Sequence, residues 1–209
     1  MSARQSYQPG VPCWVDAISD DAGAAMRFYA GVFGWEFSGP GAIPGDPPGE
    51  YCVAQLRGRD VAGIGQAPGG SPPPPPAWNT QVSVASADET TRRARQAGAT
   101  ILAQPFDAPP AGRTAVLADP TGAALCVWEP GERHGAALVN EPSAWAMSTL
   151  HTDDPERCKA FYSELFGWGS DAFGPEGSGV ELFRLPGYIG GEAEQPVPRD
   201  VVAVLGPGG

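Results

Sequence analysis

An α+β fold built from βαβββ modules is predicted for this chain, and three observations predict it. Two stretches nearly repeat each other about 133 residues apart. The first runs Asp20-Asp21, six residues, Phe28-Tyr29, three residues and Phe33-Gly34-Trp35; the second runs Asp153-Asp154, six residues, Phe161-Tyr162, three residues and Phe166-Gly167-Trp168. That separation is too long for a solenoid period and suits a duplicated domain. Within the first half, a strand, a helix and three short strands occur twice in succession. Finally, 24 prolines and 29 glycines among 209 residues call for many short elements joined by punctuated loops.

Taken in order, residues 11–19 read as a half-buried strand. Asp21 stands where its carboxylate can cap the first helical N–H groups. Phe28 and Val32, four apart, are expected to form the apolar face of that helix, and Gly34 suits the left-handed position that ends it. Residues 35–38 begin a new strand, and a loop of Gly, Pro and Asp runs to about residue 49. Residues 51–56 and 61–66 are strands, with Arg57-Gly58-Arg59-Asp60 turning between them. Residues 67–76 end in the prolines Pro72 to Pro76 and must be an extended connector, because proline has no N–H to give a sheet.

The module then recurs. Residues 78–85 form a strand, 87–97 a helix stopped by Gly98, and 100–103, 114–118 and 123–128 three strands, with Asp119-Pro120-Thr121-Gly122 as a tight turn. Residues 11–129 thus read as one complete pair of modules, 11–66 and 78–129. Residues 130–143 read as a polar linker, and 144–209 as the first module of a second pair that lacks its partner. In that third module Asp154 caps the helix, Pro155 opens it, Phe161 and Leu165 line its apolar face and Gly167 ends it. Either the chain is truncated in this second pair, or the third module borrows a partner from another chain, as a homodimer would, to cover the sheet left exposed.

Charge narrows the function classes. Lys and Arg total 13 against 24 Asp and Glu, for a net charge of −11. Nucleic acid is therefore not an expected partner, since a phosphate backbone demands a basic face, and an anionic membrane surface is equally unsuited. No apolar run approaches the roughly 18–20 residues of a membrane span, and the first ten residues lack the apolar core of a signal peptide. Cys13, Cys52, Cys126 and Cys158 are scattered with no CxxC pair, as expected of free thiols in a reduced cytoplasm.

The ordered motifs resemble those of the vicinal oxygen chelate superfamily, which includes glyoxalase I, bleomycin-resistance proteins and extradiol dioxygenases. The resemblance rests on a strand followed by Asp-x6-Phe-Tyr-x3-Phe-Gly-Trp, on the Gly112-Arg113 strand, and on Asp119-Pro120-Thr121-Gly122 leading into the last strand. The chain is most similar to duplicated actinobacterial members, through Pro12-Cys13-Trp14-Val15-Asp16, Ala62-Gly63-Ile64-Gly65, Pro76-Ala77-Trp78-Asn79-Thr80 and Leu138-Val139-Asn140-Glu141-Pro142. The resemblance implies that paired modules curl into a cup-shaped mixed sheet around a small-molecule site. In metal-dependent members a histidine near the start of each first strand and a glutamate or glutamine on each last strand hold a divalent ion. Here Cys13 or Trp14 stands at the first histidine position, Asn79 or Thr80 at the second, and Cys126 at the acidic one. No metal and no cofactor are therefore expected. A zinc site from Cys13 and Cys126 would have two ligands, which is too few, and His134 and His151 are out of register with the motif.

Residues i and i+2 of a strand share a face. Trp14 thus goes with Asp16, Asn79 with Gln81, and Cys126 with Trp128, opposite Val82, Val84, Leu125 and Val127. Turned into the cup, Trp14, Asn79, Gln81, Cys126 and Trp128 would offer a ligand flat apolar walls and a few hydrogen-bonding groups. Asp16 is the candidate catalytic residue. A carboxylate in mid-strand is costly to bury without a partner, so Asp16 orients a ligand, acts as a base, or pairs with Arg113. The third module carries Met147 and Thr149 at the places of Trp14 and Asp16, with His151 at the end of its strand. The expected function is metal-free binding of an aromatic or polycyclic metabolite or antibiotic. The alternative is an enzyme of the same superfamily, a lyase, isomerase or oxygenase acting on a secondary metabolite or reactive carbonyl. An interaction protein using Pro72 to Pro76 is the third class.

Overall fold

The computed structural model describes residues 2–69, 77–190 and 197–208. The predicted connector Pro72 to Pro76 lies outside the described residues. The first module consists of β1 (Ser2–Ala3), β2 (Pro12–Ser19), α1 (Ala22–Phe33), β3 (Glu36–Ile43), β4 (Gly49–Leu56) and β5 (Arg59–Gln66). The second consists of β6 (Trp78–Ser83), α2 (Ala87–Gln96), β7 (Thr100–Ala108), β8 (Gly112–Ala118) and β9 (Ala124–Pro130). After β10 (Leu138–Val139) comes the third: β11 (Thr149–Thr152), α3 (Pro155–Phe166), β12 (Gly169–Ala172), β13 (Glu181–Arg184) and β14 (Val201–Pro207).

The chain divides into two compact units. The first comprises Met1–Ser6, Cys13–Gln81 and His134–Ala146; the second comprises Tyr7–Pro12, Val82–Arg133 and Met147–Gly209. In the first the strand order is β3-β4-β5-β2-β6, with β5 parallel to β2 and antiparallel to β4. In the second it is β6-β9-β8-β7, beside a separate sheet ordered β11-β14-β13-β12 with β14 parallel to β11. This division differs from one drawn through a linker at 130–143. Residues of that stretch are tied down in the first unit, where the Ala136 N–H donates to the Cys13 carbonyl, the Ala137 N–H donates to that of Asp60, and β10 pairs with β1. Leu138 is fully buried there with Val15, Trp35, Ala54 and Ala62.

The helix boundaries are set locally, as predicted. Asp21 and Asp154 accept from the N–H groups of Ala24 and Arg157, and Gly34 and Gly167 close the helices at φ 70° and 75°. Arg57 and Gly58 both take positive φ, as a two-residue hairpin between right-twisted strands requires. Two strands depart from expectation. β3 runs on to Ile43 through a register shift between Ser38 and Gly41, so part of the expected loop is paired with β4. β11 holds only Thr149–Thr152, so Met147 precedes the strand.

The largest departure is on α1. Phe28 and Val32, expected to be buried, are 62% and 55% exposed, whereas their counterparts Phe161 and Leu165 on α3 are 2% and 3% exposed. The local sequence is the same, but the neighbours differ. In the second unit α3 lies against α2 and joins a core with Val82, Ala94, Leu117 and Val127. In the first unit Tyr29, Phe33 and Trp35 pack toward the sheet and leave the Phe28 face of the helix uncovered.

Candidate functional site

Asp16 is 5% exposed in the middle of β2. In parallel register it lies beside Gly63 of β5, and Tyr51 of β4 lies opposite Gly65. A Cβ at Gly63 would collide with the Tyr51 ring and hydroxyl. The two glycines therefore keep one face of β5 clear, and the tyrosine crosses it to reach Asp16. The Tyr51 hydroxyl donates to Asp16 Oδ2 at 3.0 Å and accepts from Trp14 Nε1 at 2.7 Å. From β6, Gln81 Nε2 donates to the same oxygen at 2.5 Å, and Asn79 Nδ2 donates to Oδ1 at 3.3 Å.

The structure thus brings together Trp14, Asp16, Asn79 and Gln81 on one face, as the strand alternation requires. Tyr51 is the member that sequence reasoning missed. The signal for it was the Gly63-Ile64-Gly65 alternation, because glycines two apart in a strand mark a face that a larger neighbour must cross. Asn79 and Tyr51 are half-buried, while Asp16, Trp14 and Gln81 are buried. Cys126 and Trp128 occupy the face of β9 opposite Leu125 and Val127, which join the α2 core. They belong to the second unit and are not among the hydrogen-bond partners of Asp16; Trp128 Nε1 donates to the Arg133 carbonyl at 2.9 Å.

The expected pairing of Asp16 with Arg113 does not occur. Arg113 is bound at 2.8 Å to Asp88, in the first turn of α2, and at 2.7 Å to Asp107, its register partner on β7. Three neutral donors satisfy Asp16 instead. In the third module Met147 and Thr149 are exposed, and His151 Nδ1 sits 3.0 Å from the Pro207 carbonyl. The positions matching Trp14 and Asp16 therefore build no such buried cluster there.

Burial raises the Asp16 pKa, and the hydrogen bonds from Tyr51, Asn79 and Gln81 oppose that rise without cancelling it. The native carboxyl therefore keeps its proton above the unfolded value of about 3.9. Its contribution to stability is fully present below that value and is lost as pH climbs through the native pKa. Each tenfold weakening of the acid on folding is worth about 1.4 kcal/mol. The stability of the wild type relative to Asp16→Asn, measured by urea unfolding from about pH 4 to pH 8, should accordingly fall as pH rises. A difference independent of pH would show that burial does not perturb this acid.

The superfamily's metal does not fit these residues. Among the described residues, no three His, Cys, Asp or Glu side chains are grouped so as to hold an ion. The Cys13 thiol donates to the Gln81 carbonyl at 3.4 Å, and burial raises its pKa, which keeps it a thiol rather than a metal-binding thiolate. The four cysteines are free.

Comparison with known proteins agrees with this architecture. The profile of the glyoxalase-like domain matches residues 14–128. The protein CFP32 of Mycobacterium tuberculosis (strain CDC 1551 / Oshkosh) is 34% identical over 203 residues, which span 95% of this chain and 76% of that protein. Anthracycline biosynthesis protein DauV of Streptomyces sp. (strain C5) is 34% identical over 176 residues, 77% of this chain and 62% of that protein. Among solved structures, the Mn(II)-bound glyoxalase from Novosphingobium aromaticivorans shares the fold with a TM-score of 0.63 at 15% identity, over 96% of this chain and 62% of that one. The chain therefore spans about three quarters of CFP32 and less than two thirds of the other two. The βαβββ order, the repeated helix motif and these matches together establish that the chain belongs to the glyoxalase-like domain family of the vicinal oxygen chelate superfamily.

Proposed function

We propose that this protein binds an aromatic or polycyclic small molecule without a metal, on the face of the first unit that carries Trp14, Tyr51, Asn79 and Gln81. The observation that carries the reading is the Asp16 cluster. Near the places where metal-dependent relatives hold an ion, this chain has a buried carboxylate satisfied by a phenol and two amides. Such a set orients a ligand by hydrogen bonding and offers an ion too few anionic donors. The relatives named for anthracycline biosynthesis support a polycyclic ligand, since anthracyclines are polycyclic aromatics.

A second reading is favoured by the raised pKa of Asp16, because a carboxylate with its pKa moved toward neutrality suits a general base. On that reading the protein is a superfamily enzyme, and Asp16→Asn abolishes turnover while sparing binding. One titration separates the two. Polycyclic aromatics are added to the metal-analysed protein, saturation is followed by tryptophan fluorescence, and the compound is recovered for mass spectrometry. Saturable binding at one equivalent with the compound recovered intact is the expected result. Conversion of the compound would establish the enzyme instead, and a bound transition metal near one equivalent that supports conversion would overturn the metal-free site.

A further inference from the structure

The partners of Asp16 are all neutral: a phenol hydroxyl and two carboxamides. No positive charge contributes to its titration, which burial and those three hydrogen bonds govern. The cationic side chain proposed for it from sequence, Arg113, is committed to Asp88 and Asp107. Elsewhere in the chain, partly buried carboxylates lie against cations, as Asp200 does against Arg184 and Glu181 against Lys159. Asp16 is more deeply buried than either and has no such partner; Asp119 shares that lack, but its donors come from its own turn and from α3, whereas two of the Asp16 donors are half-exposed.

From this uncompensated carboxylate we infer that the site selects aromatic ligands carrying a cationic amine or a strong hydrogen-bond donor, and rejects anionic ones. The inference rests on the binding reading above and specifies its ligand class. Two features connect the charge to a ligand. Asn79 and Tyr51 are the half-exposed members of the cluster, and each holds a hydrogen bond to the carboxylate. Because a carboxylate only accepts, it turns the amino end of Asn79 toward itself and the carbonyl end away. On this inference the amide oxygen is the acceptor offered to a ligand, backed by a negative charge in a medium of reduced dielectric. An ammonium or hydroxyl group meets this arrangement favourably. A ligand carboxylate meets a like charge that three neutral donors stabilise but no cation offsets.

The test is an isosteric charge series on one aromatic scaffold: 2-naphthylmethylamine, naphthalene-2-methanol and 2-naphthoate, titrated calorimetrically at a pH above the Asp16 transition located by the unfolding series, so that the carboxyl is ionised. The amine should bind at least about tenfold more tightly than the carboxylate, with the alcohol between them. Asp16→Asn should flatten the series, and so should Asn79→Lys, which places an ammonium beside Asp16 from a half-exposed position and does not depend on the core tolerating Asp16→Asn. Equal binding of all three by the wild type would overturn the charge selection and leave small-molecule binding standing. A steep series that survives both variants would assign the preference to the acidic surface at large and overturn the role of Asp16. Failure of every compound, and of larger polycyclic aromatics, to bind would overturn the binding reading itself, and this inference with it.

Discussion

Replacing Asp119 by alanine is expected to destabilise the second unit by about 3–4 kcal/mol, because one buried carboxylate satisfies five donors there. Asp119 is 3% exposed. Its Oδ1 accepts from the Thr121 N–H at 2.8 Å, the Thr121 hydroxyl at 2.8 Å and the Ala123 N–H at 3.1 Å, which together shape the turn between β8 and β9. Its Oδ2 accepts from the Tyr162 hydroxyl at 3.1 Å and the Cys158 thiol at 3.7 Å, both from α3. Burial raises the pKa of Tyr162 well above its ordinary value, and the Asp119 charge adds to the rise, so the phenol stays a donor. Alanine would leave these groups without their acceptor, and orphaned buried donors cost about 1–3 kcal/mol each before relaxation. Tyr162→Phe removes one donor and should cost only about 1 kcal/mol. Urea unfolding gives the totals, and hydrogen exchange gives the location: the Thr121 and Ala123 amides should lose protection in Asp119→Ala. Unchanged exchange at both amides would refute the assignment of the turn to this carboxylate.

Phe161→Ala should cost about 3–5 kcal/mol, whereas the same change at Phe28 should stay within about 0.5 kcal/mol. The two phenylalanines occupy the same place in the repeated motif, and each packs edge-on against the tyrosine that follows it, with ring centroids 5.1 Å apart. The intrinsic contribution of the residue to its own helix is thus matched in the pair. What differs is the surroundings: Phe161 is enclosed with Leu165, Ala94 and Val127, and Phe28 is open. Parallel urea titrations of the two variants compare a buried and an exposed phenylalanine in one chain. Equal losses would mean that Phe28 is covered in solution by something that binds its face.

The same pair shows how far local sequence reaches. The starts and stops of α1 and α3 are readable, because a capping carboxylate at Asp21 or Asp154 and a left-handed glycine at Gly34 or Gly167 act within a few residues of their own position. Strand faces are readable for the same reason. Alternation sets Asn79 and Gln81 opposite Val82 and Cys126 opposite Leu125 and Val127, and turning the polar faces into the cup puts Asp16, Asn79 and Gln81 together. Whether an apolar helical face is buried is not readable, since Phe28 and Phe161 look alike until α2 is placed beside one of them.

Partners lie beyond the sequence too. Pairing with Arg113 is one of the roles the sequence leaves open for Asp16, but long-range pairing gives Arg113 to Asp88 and Asp107 and gives Asp16 a tyrosine from β4. The βαβββ order, the duplication, the helix caps and the residues sharing a strand face were determined by the sequence itself, because short-range hydrogen bonding and steric alternation decide them. The burial of α3 against α2, the exposure of α1, the crossing of Tyr51 over Gly63 and the neutral surroundings of Asp16 were decided only by the tertiary structure. Each depends on which distant elements become neighbours, and packing and strand register settle that once the whole chain is folded.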